Sequence, residues 1–101
     1  MSYTEVNIDK FNTIVDVNFN DDEINKIKKY YYSFTSYISS LWYIEITKGK
    51  LPHLIDIKIL IRKSIDDYYF VEVYFSQNNN NHFYKSDQLS ELLKCLKQIT
   101  K

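Results

Sequence analysis

Apolar and polar residues recur along this chain with two different periods, and the change between them marks the predicted elements. Six apolar residues are spaced by three or four positions, which places them on one face of a helix: Ile24, Ile27, Tyr31, Phe34, Ile38 and Leu41. Asn20 and Glu23 have the spacing of a capping box, so the helix is predicted to span 20–38. Serine and threonine residues near its end also allow an earlier change to extended chain.

After residue 41 the period becomes two, which is typical of strands. The runs 42–47, 55–62 and 68–75 alternate apolar with polar or aromatic residues, and a fourth short run lies at 82–85. The segment 48–52 contains the single glycine and the single proline of the chain and is predicted to be a loop. The pattern therefore predicts an antiparallel meander over 41–85.

The two ends of the chain complete the predicted fold. Residues 86–100 form an amphipathic helix with Ser86 or Asp87 as its N-cap and leucines along one side. Alternation over 15–19 suggests a strand, and 3–8 is either a strand or a short helical turn. We predict one α+β domain, 1–101, in which an antiparallel sheet of four to five strands packs against helix 20–38 and helix 86–100.

Composition bounds the class of protein. Of the 101 residues, 45% are apolar and 17% aromatic, which is enough for a packed core. No apolar run approaches the roughly 20 residues of a membrane span. The N-terminal residues lack the basic and apolar regions of a signal peptide, and Cys95 is the only cysteine. We expect a cytoplasmic protein, in the host cell cytoplasm if the gene is viral, with no membrane partner.

Charge is balanced over the chain but distributed unevenly. The 13 basic and 13 acidic side chains cancel. Residues 1–25 hold six acids and one base, a charge of −5, so the remainder carries +5. The molecule is therefore expected to be bipolar.

Residues that commonly carry chemistry are few. His53, His82 and Cys95 have no paired ligand spacing, so no metal and no cofactor is predicted. With Gly49 as the only glycine, phosphate-cradling loops are excluded. We expect the histidines to lie in solvated loops and Cys95 to be a small buried side chain.

One carboxylate pattern resembles that of metal-dependent nucleases, which place an acid on one strand and acid-x-Lys on the next. Here Glu45 precedes Asp56 and Lys58 with that spacing. Acid-x-Lys is expected about one and a half times by chance in a chain of this composition. A cross-strand ion pair or a solvated row of charges explains it equally well, and we predict no enzymatic activity.

Surplus aromatic residues suggest binding to another protein. Too many rings exist for the predicted core, and tyrosine is enriched at protein interfaces. The candidate partner-binding residues are seven aromatic residues and three acids: Tyr30, Tyr32, Tyr37, Tyr43, Tyr68, Phe70, Tyr74, Asp21, Asp22 and Glu23. The alternative is that a helix or the N-terminal segment covers these rings. An exposed strand edge or the tyrosine face would also allow two copies to pair as a homodimer.

Nucleic acid is the alternative partner. Three lysines, Lys26, Lys28 and Lys29, are followed directly by three tyrosines over 30–32, and basic and aromatic residues occur together in this way on surfaces that stack bases. A net charge of zero and the absence of an RNA-recognition strand motif count against it.

In size, element order and lack of a catalytic motif, the chain resembles the small inhibitors carried by phages and mobile elements, of which anti-CRISPR proteins are the best-known class. The resemblance covers the whole organisation, helix 20–38, meander 41–85 and helix 86–100, and transfers no functional residue. It implies a protein that blocks a larger nuclease or effector by stoichiometric contact. A toxin-neutralising immunity protein is a further hypothesis.

Overall fold

The computed structural model describes residues 3–31, 36–39, 43–51, 54–77 and 79–99. Within these ranges the strands are β1 Tyr3–Val6, β2 Ser36–Ser39, β3 Tyr43–Leu51, β4 Leu54–Lys63, β5 Tyr69–Phe75 and β6 Asn80–Ser86. The helices are α1 Ile8–Asn12, α2 Asp21–Tyr31 and α3 Leu89–Ile99. The strands form one antiparallel sheet in the order β1-β6-β5-β4-β3-β2.

The predicted α+β class, the antiparallel meander and a C-terminal helix are confirmed, but this helix begins at Leu89 and not at residue 86, because Ser86 is the last residue of β6. The meander corresponds to β3, β4, β5 and β6, each hydrogen-bonded to the next. The sheet reaches six strands, against four to five predicted, because β2 extends it at one edge and β1 pairs with β6 at the other.

The first long helix is shorter than predicted. Asn20 and Glu23 make the reciprocal capping contacts, with each backbone N–H donating to the other side chain at 2.9 and 2.8 Å. The helix is described as far as Tyr31, and residues 36–39 lie in β2. The prediction of helix to residue 38 is therefore wrong. Hydroxyl-bearing residues compete for backbone hydrogen bonds and favour extended chain at this point.

The predicted loop at 48–52 is also corrected. Strand β3 continues through Gly49 to Leu51, and the register with β4 shifts on both sides of Gly49. A bulge at a glycine lets a strand absorb an irregularity without ending.

The N-terminal segment contains the strand and the short helical turn that were alternatives for residues 3–8. Strand β1 is followed by α1, whose cap Asn7 accepts from Lys10 N at 3.0 Å. Residues 15–19 do not form the predicted strand. They make one isolated bridge, between Asp16 and Ser64, because this part of the chain runs past the end of β4.

Apolar side chains form clusters on both faces of the sheet. On the inner face, α2 and α3 cover a cluster whose fully buried members are Ile27, Ile44, Ile46, Ile59, Ile61, Val71, Val73, Leu92, Leu93 and Leu96. Burying each such side chain contributes about 1.5–3 kcal/mol. On the outer face, α1 contributes Phe11 to a second cluster with Phe70 and Phe83. The sheet therefore has helices on both faces, but α1 covers only part of the outer one.

Candidate interaction surfaces

The predicted partner-binding rings do not lie on a common surface. Tyr43 and Tyr74 are half-buried on the outer face, where they pair in register with Arg62 and Lys58. Tyr30 lies on the opposite side and packs against the inner cluster. Tyr32 is outside the described residues. Tyr37 is described only as a backbone position in β2.

Phe70 is buried, which corrects the expectation that its ring is exposed to a partner. It is 5% exposed, because the N-terminal segment lies over it. The Phe11 and Phe83 rings meet with centroids 5.0 Å apart in the same cluster. Tyr68 packs at the margin of this cluster and lies under Lys85, whose Nζ is 4.8 Å from the ring centroid. Coverage by the N-terminal segment, one of the alternatives from sequence, therefore applies to this part of the face.

A charge pair holds the N-terminal segment in place. The Arg62 guanidinium donates two hydrogen bonds of 2.7 Å to the two carboxylate oxygens of Asp16. It also donates to the Phe11 carbonyl at 3.2 Å, and its Cζ lies 4.9 Å from the Phe11 ring centroid. Bidentate pairing fixes direction as well as distance, so one residue of β4 orients the segment that closes the second cluster.

Glu23 is likewise buried, which corrects the expectation that its carboxyl is exposed to a partner. It is 8% exposed and accepts hydrogen bonds from Lys63 Nζ at 2.9 Å, from the Tyr69 hydroxyl and from Asn20 N. Burial acts to raise the pKa of the Glu23 carboxyl, but these three donors outweigh it and lower the pKa below its usual value. Burial and the bond to Glu23 raise the pKa of Tyr69. Glu23 therefore joins the start of α2 to β4 and β5.

Asp21 and Asp22 remain exposed in the first turn of α2. Acidic residues at this position stabilise the positive end of the helix dipole, which is sufficient to explain them. Their contact with a partner stays a prediction.

Among the described residues, the part of the outer face that α1 does not cover has an ordered arrangement of charge. We call it the open sheet patch and define it as Tyr43, Glu45, Lys58, Glu72, Tyr74 and Asn81. Lys58 Nζ donates to Glu45 at 2.8 Å. This bond is the main reason why the pKa of Lys58 is raised, and the charge of Glu72 adds to the effect. Lys58 is therefore held between carboxylates on both neighbouring strands.

Two asparagine side chains make further hydrogen bonds at the edge of the patch. Asn81 Nδ2 donates to Glu72, and the Tyr74 hydroxyl donates to Asn79 Oδ1 at 2.9 Å. A shallow depression of about 290 Å³ lies among these residues, with Leu60 contributing to its floor. The ring of Tyr74 and the charged groups beside it are thus held in place by hydrogen bonds within the protein.

A second surface lies between α2 and α3, and only its α2 residues were identified from the sequence. We call it the helix groove and define it as Lys26, Lys29, Tyr30, Ser90, Lys94 and Lys97. The sequence analysis identified the α2 lysines and Tyr30 but did not connect them with α3. The late lysines of α3 were the available signal, since they follow its leucine face by one position.

The groups considered for metal or nucleophilic chemistry are dispersed in the described part of the chain. There, no three His, Cys, Asp or Glu side chains are grouped so as to hold a metal ion. Glu45 of the nuclease-like pattern is ion-paired with Lys58, and Cys95 is buried as predicted. His82 lies within β6, not in a loop, with Nδ1 3.6 Å from Glu5 Oε1. His53 lies outside the described residues.

Comparisons with known proteins give no match. No protein-family model matches the chain, and neither a curated protein nor a solved structure shows significant similarity to it. None of the described helices has the length and apolar content needed to cross a bilayer.

Proposed function

We propose that this protein acts by binding another protein through the open sheet patch and inhibits it by stoichiometric contact. The observation that supports the proposal is the partial cover of the outer face. The N-terminal segment buries Phe70 and Phe83 but leaves Tyr43 and Tyr74 half-buried beside the Glu45–Lys58 ion pair.

The chemistry of the patch fits a protein partner. Tyrosine supplies a large rigid contact area with little loss of conformational entropy, and its hydroxyl accepts or donates a hydrogen bond at the rim. Alternating charge on neighbouring strands selects a partner with the complementary pattern and disfavours others. The resemblance to phage-borne inhibitors suggests a larger nuclease or effector as that partner.

The test compares capture by the wild-type protein with capture by the Tyr43→Ala/Tyr74→Ala variant. From a lysate of the native host we expect the wild type to retain a specific protein, and the double variant to bind the purified partner at least about 30-fold more weakly. Ile65→Ala is the matched control, because Ile65 is an exposed apolar residue in the β4–β5 turn, outside the patch.

Inhibition is then tested directly. The activity of the captured partner should fall linearly with added protein and reach its minimum at a molar ratio of one. Equal retention by the double variant, or a captured protein whose activity does not change, would contradict the proposal.

A further inference from the structure

The two inner-face helices run in the same direction. Lys26 Nζ of α2 donates to Ser90 Oγ of α3 at 3.2 Å, and nearer the C-terminal end of both helices Lys97 Nζ of α3 lies over the ring of Tyr30 of α2. The contacts follow the same order along both helices, so the helices are parallel. Their lysine-bearing turns therefore lie side by side, although α2 and α3 are about 60 residues apart in sequence.

This arrangement concentrates positive charge in the helix groove. Two adjoining depressions, of about 630 and 470 Å³, share Tyr30 and Lys97 in their linings and together include Lys26, Lys29 and Lys94. The lysines are exposed, with Lys26 bonded to a hydroxyl and Lys94 3.7 Å from Glu91. The groove thus gathers four lysines, in a molecule whose total charge is zero.

An aromatic ring lies in the middle of the positive charge. Tyr30 is half-buried and packs against the inner cluster on one side. Lys97 Nζ is 5.5 Å from its centroid, so the ring and the ammonium group form a cation–π pair at the surface. Binding sites for single-stranded nucleic acid combine these two components, a basic groove for the backbone and a ring for the bases.

We propose that the helix groove binds single-stranded nucleic acid, with phosphates at the four lysines and with a base that takes the place of the Lys97 ammonium group against the Tyr30 ring. An acidic peptide would match the charge but would make no use of the ring. The proposal concerns a different face from the open sheet patch, and neither depends on the other.

The first experiment measures fluorescence anisotropy of a labelled oligothymidylate of about 12 nucleotides. With four phosphate contacts, the logarithm of the association constant should fall with the logarithm of salt concentration with a slope of about −2.8. This corresponds to roughly 50-fold weaker binding at 200 mM than at 50 mM salt. A flat salt response would overturn the proposal.

Charge reversal at single lysines locates the site. Lys29→Glu should weaken binding at least about 10-fold and reduce the magnitude of the salt slope by about 0.7, the value for one phosphate contact on a single strand. Lys10→Glu is the matched control, because Lys10 is also exposed and lies on α1 at the other face, and because the substitution changes the net charge by the same amount. Equal loss in both variants would indicate general charge attraction and would contradict a defined site.

The ring is tested separately from the charge. Tyr30→Phe should bind like the wild type, whereas Tyr30→Leu, which retains apolar packing, should bind about 5- to 100-fold more weakly. Poly-glutamate of similar length is the competing probe. Displacement of the oligonucleotide by equal amounts of poly-glutamate, or equal binding by Tyr30→Leu, would assign the groove to acidic proteins and overturn the nucleic-acid assignment.

Discussion

Single side chains decide how the layers of this protein are joined. Glu23 illustrates the case, because its carboxylate is nearly buried and yet has three donors from three parts of the chain. A buried carboxylate that is fully hydrogen-bonded is tolerated, whereas its removal leaves the donors without a charged acceptor. The stability of the α2 contact with β4 and β5 therefore depends strongly on this residue.

Glu23→Gln should lower the free energy of unfolding by about 2 kcal/mol, since a neutral amide replaces the carboxylate that accepts from the partly buried Lys63 ammonium group. Glu91→Gln is the control, because the Glu91–Lys94 pair is exposed and should contribute less than about 0.5 kcal/mol. Urea denaturation measures both. Equal stability of the two variants would contradict the role assigned to Glu23.

The same residue predicts a dependence of stability on pH. Because the folded-state pKa of Glu23 is lowered from 4.5, its contribution is complete above that value and is lost as the pH falls through the lowered pKa. The difference in unfolding free energy between wild type and Glu23→Gln should therefore be constant near neutral pH and shrink below about pH 4.5. A difference that is the same at pH 3 and pH 7 would refute this assignment.

At the scale of elements, the N-terminal segment determines which part of the outer face is available. It is attached through the Arg62–Asp16 pair and through two backbone bonds, Val17 N to the Lys63 carbonyl and Ile65 N to the Val15 carbonyl, each 2.9 Å. These contacts close the second aromatic cluster over one end of the sheet. The remainder of the face becomes the open sheet patch.

Asp16→Asn should loosen this attachment, because the amide cannot accept two charge-assisted hydrogen bonds from Arg62. We expect a loss of about 1–3 kcal/mol in unfolding free energy. Hydrogen exchange at the amides of Val17 and Ile65 should accelerate more than exchange at Val71 in the middle of the sheet. Asp9→Asn, at an exposed position in α1, is the control and should leave these rates unchanged.

At the scale of the whole molecule, the sheet separates two surfaces of different character. The open sheet patch contains acids, a base and tyrosines on the outer face of the sheet. The helix groove contains lysines and lies between α2 and α3, the helices that pack on the inner face. Parallel helices also place Asp21, Asp22 and Glu91 near their N-terminal ends and lysines near their C-terminal ends. In the layer formed by α2 and α3, negative charge is therefore concentrated at one end and positive charge at the other, in line with the bipolar charge expected from the sequence.

This separation predicts that the two binding activities are independent. Tyr43→Ala/Tyr74→Ala should leave oligonucleotide affinity within about 2-fold of the wild type, and Lys29→Glu should leave capture of the protein partner unchanged, because distant sites without shared contacts act additively. Anisotropy and pull-down measurements on both variants check this. Loss of both activities in either variant would show that the surfaces are coupled.

What the sequence determined by itself is the part of the structure that depends on short-range order. The capping box at Asn20 and Glu23, the alternation of β4 and β5 and the leucine face of α3 each lie within a few residues, so backbone geometry alone assigns them. The α+β class follows from their succession.

Tertiary structure alone decided which aromatic side chains outside the predicted core are buried by another segment of the chain. Phe70 and Tyr74 lie four residues apart on the same face of β5, with equivalent sequence patterns. One is buried and the other is not, because α1 packs over Phe70 from about 60 positions away. The helix groove has the same origin, since Tyr30 and Lys97 meet only when α2 and α3 lie parallel on the sheet. The period of the apolar residues indicates the face on which a residue lies. Whether another segment buries that residue depends on contacts between parts of the chain that are distant in sequence.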